Sequence, residues 1–261
     1  MSGETSNWVP SRRIRFTIGL ALFIALIGIA ASVWSPFALL LLLPALGALW
    51  AAFIMLQIRR QLSSRGGSWE HRIHELVATR LALPSNADSA VLDIGCGDAS
   101  LLITLLRQAP AIRATGIDYW GDNWDYAQAA CETRLTRLGL NATFRRMDAA
   151  KLDFPDASFD AVVSVMCFHE VRAPRGAKLR GPLLAVSEAL RVLKPGGTFV
   201  LIDRFADKKD YGAPSDLAAL LCHTENLHED SLVRTMRVPW PLSTKRALGP
   251  VTVLSGQKQL M

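Results

Sequence analysis

The stretch VLDIGCGDAS, Val91 to Ser100, sets a carboxylate, Asp93, just ahead of two glycines, Gly95 and Gly97. An apolar run that ends in closely spaced glycines is how a buried parallel strand hands over to a helix above a nucleotide-like ligand. Glycines there let the backbone approach the ligand closely. A dinucleotide loop reads G-x-G-x-x-G, its last glycine letting the helix pack near the strand; here that position is Ser100. Asp93 makes a second difference. An acid at that point repels a pyrophosphate and attracts a ligand that carries an ammonium group.

The remaining reactive side chains exclude several chemistries. Cys96, Cys131, Cys167 and Cys222 are widely spaced, with no CxxC pair. They suggest neither a disulfide framework nor a zinc knuckle, and fit a reducing cytoplasmic compartment. His71 and His74 lie three apart, and His223 and His228 flank TENL. With no cysteine or carboxylate set at a ligand spacing, these four read as surface histidines and no metal site is expected.

The elements that must position Asp93 follow in a regular alternation. SWEHRIHELVATRLAL reads as an amphipathic helix with Ile73, Leu76, Val77 and Leu81 on one face. Strand-like runs are Ala90–Ile94, Ala114–Ile117, Ala142–Met147, Ala161–Val165 and Thr198–Asp203, with helical runs near 99–107, 124–138 and 182–193 between them. LKPGG, Leu193 to Gly197, turns the last helix into the fifth strand. This order implies right-handed crossovers and a Rossmann-like, doubly wound, mostly parallel α/β sheet. Ser231–Arg237 and Val251–Ser255 read as two further strands.

Four segments in order resemble the class I S-adenosylmethionine-dependent methyltransferases, of the type 11-like kind. VLDIGCGD is similar to their acid-x-Gly-x-Gly motif, with Ala99 where an optional third glycine stands. ATGIDYW ends a second strand at Asp118, 25 residues after Asp93; FRRMDAAKLDFPDASFDAVVSVMCFHEV resembles the third-strand acid and the D-x-F-D fourth strand. LLAVSEALRVLKPGGTFVLID resembles the late helix, turn and fifth strand. The resemblance covers about Leu76 to Asp203. It implies S-adenosyl-L-methionine as cofactor, with Asp93 orienting the loop near the methionine ammonium, Asp118 on the ribose hydroxyls, and Asp148 with Ala149 at the adenine. Gly95, Cys96, Gly97, Tyr119 and Met166 complete the implied cofactor positions; Cys96 supplies bulk rather than chemistry. Trp120 and Trp124 either stack on the adenine or pack. His169, with Glu170, follows the fourth strand where substrate-facing residues are implied. It is the candidate general base, needed only if the acceptor must lose a proton; otherwise it is a structural residue of the pocket wall.

Half of the 261 residues are hydrophobic, and the surplus is concentrated in two runs, about 14–34 and 37–58. Each is long enough to cross a hydrocarbon core at about 20 residues per helix. Pro44 and Gly47 would weaken a soluble helix and are tolerated in a membrane one. Residues 1–65 carry six arginines against Glu4, which leaves 23 basic and 22 acidic side chains in the other 196 residues. Arg12 and Arg13 precede the first run, Arg15 stands at its outer edge, and Arg59, Arg60 and Arg65 follow the second, while SVWSPF between them has no charge. The positive-inside tendency then puts both ends, and the domain, in the cytoplasm. A cleaved signal peptide fits less well, because the first run is too long and a second follows at once.

The expected organisation is a transmembrane hairpin and linker over 1–65 and a methyltransferase domain over 66–261. The near-neutral domain disfavours nucleic acid as a partner. Tethering points to a lipophilic acceptor held in the membrane. A small soluble or protein acceptor, or a non-catalytic membrane module of the same fold, are the alternatives. Leu217, Leu220 and Leu221 fall where an apolar mouth or simple packing on the sheet is expected.

Overall fold

The structure is a computed structural model describing residues 8–84, 86, 88–121 and 127–260. The chain divides into two compact units, Met1–Glu70 and His71–Met261.

The first unit is a helical pair. Helix α1 (Ser11–Ala31) and helix α2 (Leu42–Leu62) are joined through a 3₁₀ segment at Pro36–Leu41. Ile14, Ala21 and Gly28 are the buried residues of α1, seven apart, and Ala45, Ala52 and Leu62 those of α2. Small residues at this spacing let two helices approach closely along one seam. At Gly28 a Cβ would press on Leu41 Cβ at 3.0 Å and the Ala38 carbonyl at 3.1 Å. Pro44 is the third residue of α2, just after the junction with the 3₁₀ segment. Away from the seam the large apolar side chains face outward: Phe16, Leu22, Phe23, Leu26, Leu43 and Leu46 are all exposed. Both helical stretches are long and apolar enough to cross a membrane.

The second unit begins with α3 (Trp69–Leu81) and builds one seven-stranded sheet. Its strands are β1 (Ala90–Ile94), β2 (Arg113–Asp118), β3 (Thr143–Arg146), β4 (Phe159–Val165), β5 (Leu193–Asp203), β6 (Thr224–Ser231) and β7 (Thr252–Lys258). The order is β3-β2-β1-β4-β5-β7-β6, and only β7 runs against its neighbours. Helices α4 (Ser100–Gln108), α5 (Gln128–Arg137) and α6 (Gly181–Val192) are the crossovers expected from the alternation. Every residue of β1 is buried. Leu92, Val162, Phe199 and Leu201 pack with Leu183, Val186 and Ala189 of α6 in the main core. Each such side chain contributes about 1.5–3 kcal/mol through burial.

Two expectations change. Ser231–Arg237 is not a strand: Leu232–Met236 forms the one-turn helix α9, and the penultimate strand is Thr224–Ser231 instead. TENLHEDS lacks an apolar alternation because it is the sheet's edge, exposed over most of its length. His74 is not on the surface but 5% exposed, since the buried face of α3 extends from Ile73 and Val77 to Glu70, His74 and Ala78. For Leu217, Leu220 and Leu221, in α8 (Pro214–Leu221), simple packing is the reading that holds, all three lying against the core.

Candidate active site

In an open sheet of this kind the ligand crevice lies beyond the carboxyl ends of the strands, where the chain order reverses, here between β1 and β4. Two turns meet there. The β1 turn passes through Gly95 (φ +77°) and Gly97 (φ +54°), and Ala99 enters α4 at φ +65°. Gly95 and Cys96 donate their N–H groups to the Ile117 carbonyl at 2.8 and 3.0 Å. A Cβ at Gly95 would collide with the Cys167 side chain, so that glycine is required by its φ and by its neighbour.

Asp118 ends β2 and ties the glycine turn to the next loop. One carboxylate oxygen accepts the Gly97 N–H at 3.0 Å and the other the Trp120 N–H at 2.8 Å. Each oxygen keeps a lone pair for a hydroxyl donor. Trp120 closes the circuit, its indole N–H donating to the Gly97 carbonyl at 3.0 Å while its ring meets Phe144 edge-on. It is a fastener of the turn; Trp124 lies outside the described residues. Asp98 and Arg134, which the sequence reading passed over, brace the same loop: the guanidinium reaches the Asp98 carboxylate at 2.8 Å and Ser100 Oγ at 2.9 Å.

Asp93 is 1% exposed, and its Oδ2 has no hydrogen-bond partner among the described residues. Burial, then the charges of Asp118 and Asp98, push its carboxyl well above the ordinary range. A buried acid short of a partner is destabilising unless something cationic or hydrogen-bonding completes it. The expected ammonium is such a group. Asp93, the turn at Gly95–Gly97 and the Asp118 lone pairs therefore fit an amino-acid moiety linked to a nucleoside.

The other expected cofactor positions gather at the neighbouring strand ends. Asp148 follows β3 and caps its own turn, accepting the Ala150 N–H at 2.9 Å, with Ala149 buried beside it. Tyr119 is exposed, with the Arg146 guanidinium 5.0 Å from its ring centre. Met166 takes a positive φ of 56° at the end of β4 and donates its N–H to the Ile202 carbonyl at 2.7 Å. Cys96 and Cys167 are held protonated by burial in this acidic surrounding, which makes both inert as nucleophiles.

His169 lies in a 3₁₀ turn, Phe168–Glu170, pinned by the fully buried Phe168. Glu170, the last residue of the turn, is exposed. His169 Nδ1 is 2.7 Å from the Asp203 carboxylate at the end of β5. Burial alone would lower the His169 pKa; the Asp203 hydrogen bond and charge outweigh it and raise the value, with Arg204 opposing and Glu170 adding. Sequence reasoning missed Asp203.

Residues 92–201 match the family described as a methyltransferase domain. A phosphatidylethanolamine N-methyltransferase of Cereibacter sphaeroides is 30% identical over 163 residues, spanning 61% of this chain and 73% of that protein. A demethylmenaquinone methyltransferase of Thermus thermophilus is 32% identical over 126 residues, 48% of this chain and about half (51%) of the relative. Among solved structures, a geranyl diphosphate C-methyltransferase from Streptomyces coelicolor superposes with a TM-score of 0.56 at 15% identity, covering 76% of this chain and 82% of that one. The cyclase SpnF superposes at 0.53 with 20% identity, over 75% and 83%; both show the fold. A glycine turn that leaves a buried acid waiting for a cation, on this sheet and with these relatives, has one reading: the chain belongs to the class I S-adenosylmethionine-dependent methyltransferases.

Proposed function

We propose that the protein is a membrane-anchored methyltransferase that acts on a lipophilic acceptor residing in the membrane, with His169 accepting the acceptor's proton. The observation that carries the reading is the pairing of a methyltransferase domain with two long apolar helices whose large side chains face outward. In water such a surface is costly; in lipid it is the expected one. Flanking arginines at 12, 13, 15, 59, 60 and 65 favour a cytoplasmic domain beside anionic head groups. Two relatives, a phosphatidylethanolamine N-methyltransferase and a demethylmenaquinone methyltransferase, are named for acceptors of the same class. The loop after His169 adds local support: Arg172, Arg175, Lys178 and Arg180 are exposed, with no acid among them. Arg180 holds this loop to α7 (Lys208–Tyr211) through the Lys209 carbonyl at 2.7 Å. A positive rim of this kind suits a phosphate-bearing surface.

Bound S-adenosylmethionine supplies an electrophilic methyl carbon on a sulfonium. Asp93 would hold the ammonium, the Gly95–Gly97 backbone and Asp118 would set the nucleoside, and Asp148 with Ala149 would border the base. Such contacts would fix the line of attack, from which methyl transfer draws much of its rate.

The test uses the full chain in phosphatidylcholine vesicles containing either phosphatidylethanolamine or a demethylated quinone. A rate that follows the acceptor's mole fraction in the bilayer, at constant bulk concentration, supports the reading. Equal turnover of water-soluble amines or phenols without vesicles contradicts it.

A further inference from the structure

We infer that Asp203 is the positioning residue of the methyl-transfer site, holding His169 in the tautomer that leaves Nε2 free to take the acceptor's proton. The inference rests on the proposed role of His169 and goes beyond it by assigning the residue that makes the role possible.

The geometry is specific. Asp203 is 1% exposed and receives three donors: His169 Nδ1 at 2.7 Å, the His169 backbone N–H at 3.2 Å and the Arg204 N–H at 2.7 Å. An ionised carboxylate only accepts, so Nδ1 must carry the hydrogen and Nε2 is left as the basic nitrogen. The two contacts to His169, one to the ring and one to the backbone, fix both the imidazole and the 3₁₀ turn that bears it. Parallel pairing of Val165 with Ile202 brings the ends of β4 and β5 together, so the contact depends on the sheet and not on a flexible loop. The charged and titratable groups around the ring are Asp203 and Arg204 from β5 and its end, and Glu170 and Cys167 from its own turn. From α7 come Tyr211, buried beside Asp203, and Asp210, 3.5 Å from the Arg204 guanidinium.

The step balances as an in-line displacement. A lone pair on the acceptor forms the bond to the methyl carbon, and the methyl–sulfur electron pair stays on sulfur. The acceptor's proton passes to His169 Nε2. The Nδ1 hydrogen stays on His169, hydrogen-bonded to the Asp203 carboxylate, whose charge stabilises the imidazolium.

The experiment measures kcat and KM against pH for the full chain, for His169→Ala and for Asp203→Asn, with S-adenosylhomocysteine titrated into each preparation. His169→Ala should lose about 10²–10⁴ in kcat, the ordinary worth of a general base. Asp203→Asn should lose about 10–100-fold in kcat, a smaller share of the same effect because the base remains. KM and S-adenosylhomocysteine affinity should hold within about twofold, well under the tenfold that 1.4 kcal/mol would bring. The acid limb of its pH profile should move to lower pH, because the carboxylate that raises His169 has gone. Wild-type kcat and an unmoved limb in Asp203→Asn, beside an inactive His169→Ala, would overturn this inference and leave the base standing. Full turnover in His169→Ala would overturn both. If Asp203→Asn loses the S-adenosylhomocysteine titration through damage to the turn, ¹⁵N-histidine spectra of the wild-type protein decide. A His169 signal protonated at Nδ1 supports the inference, and one protonated at Nε2 overturns it.

Discussion

At the scale of the residue, the site is organised around acids of unequal condition. Asp118 has both oxygens engaged by backbone N–H groups, whereas Asp93 is buried with Oδ2 unsatisfied. That difference has a pH signature. The folded-state pKa of Asp93 is raised, so the unfolded chain releases this proton first as pH rises above about 4. Asp93 therefore subtracts stability increasingly until the folded-state pKa is passed, and only there does the loss level off. Asp93→Asn should raise the Tm of the ligand-free protein, the gain growing as pH rises above about 4, while weakening S-adenosylhomocysteine about 10–100-fold. Thermal unfolding and titration calorimetry on the same samples check both halves. A lowered Tm with unchanged affinity would show that Asp93 serves only the fold. His169 has the opposite sense: its partner contributes stability below the unfolded value of 6.5 and loses it as pH rises through the raised folded one.

At the scale of the element, the site is a set of strand ends, and its legibility followed from what each end shows in sequence. β1 was readable to the residue, because a wholly buried strand is a continuous apolar run with its glycine turn attached. Asp203 was not, because FVLID is an ordinary buried strand and its partner lies 34 residues earlier. Their meeting exists only once β4 and β5 pair. Edge strand β6 was hidden for the converse reason, its polar residues carrying no period that separates strand from loop. The same logic yields a test of the β1 turn. Gly95→Ala places a Cβ against Cys167 at a φ of +77°, a cost of about 1–3 kcal/mol. The variant should fall in Tm and bind S-adenosylhomocysteine more weakly, and Gly95→Ala combined with Cys167→Gly should recover part of the loss by removing both the Cβ and the Sγ it strikes. No recovery in the double variant would mean that the backbone, and not the Cys167 side chain, sets the requirement.

At the scale of the whole molecule, composition carried the division of labour. The two apolar runs were legible as long stretches whose one charge is Arg15 at the outer edge of the first, although their helices start three residues earlier in α1 and pass through a 3₁₀ segment before α2. The identity of the acceptor was not legible, because one fold serves many acceptors and the proposed tethering would say only where the acceptor resides. The most direct measurement is therefore one of location. Membranes containing the full-length protein are incubated with methyl-labelled S-adenosylmethionine, extracted with organic solvent and counted, with Asp93→Ala membranes beside them. The account predicts label in the lipid extract of the wild type and its loss in the variant. Label confined to the aqueous or protein fraction would contradict a lipophilic acceptor and reduce the helical pair to an address.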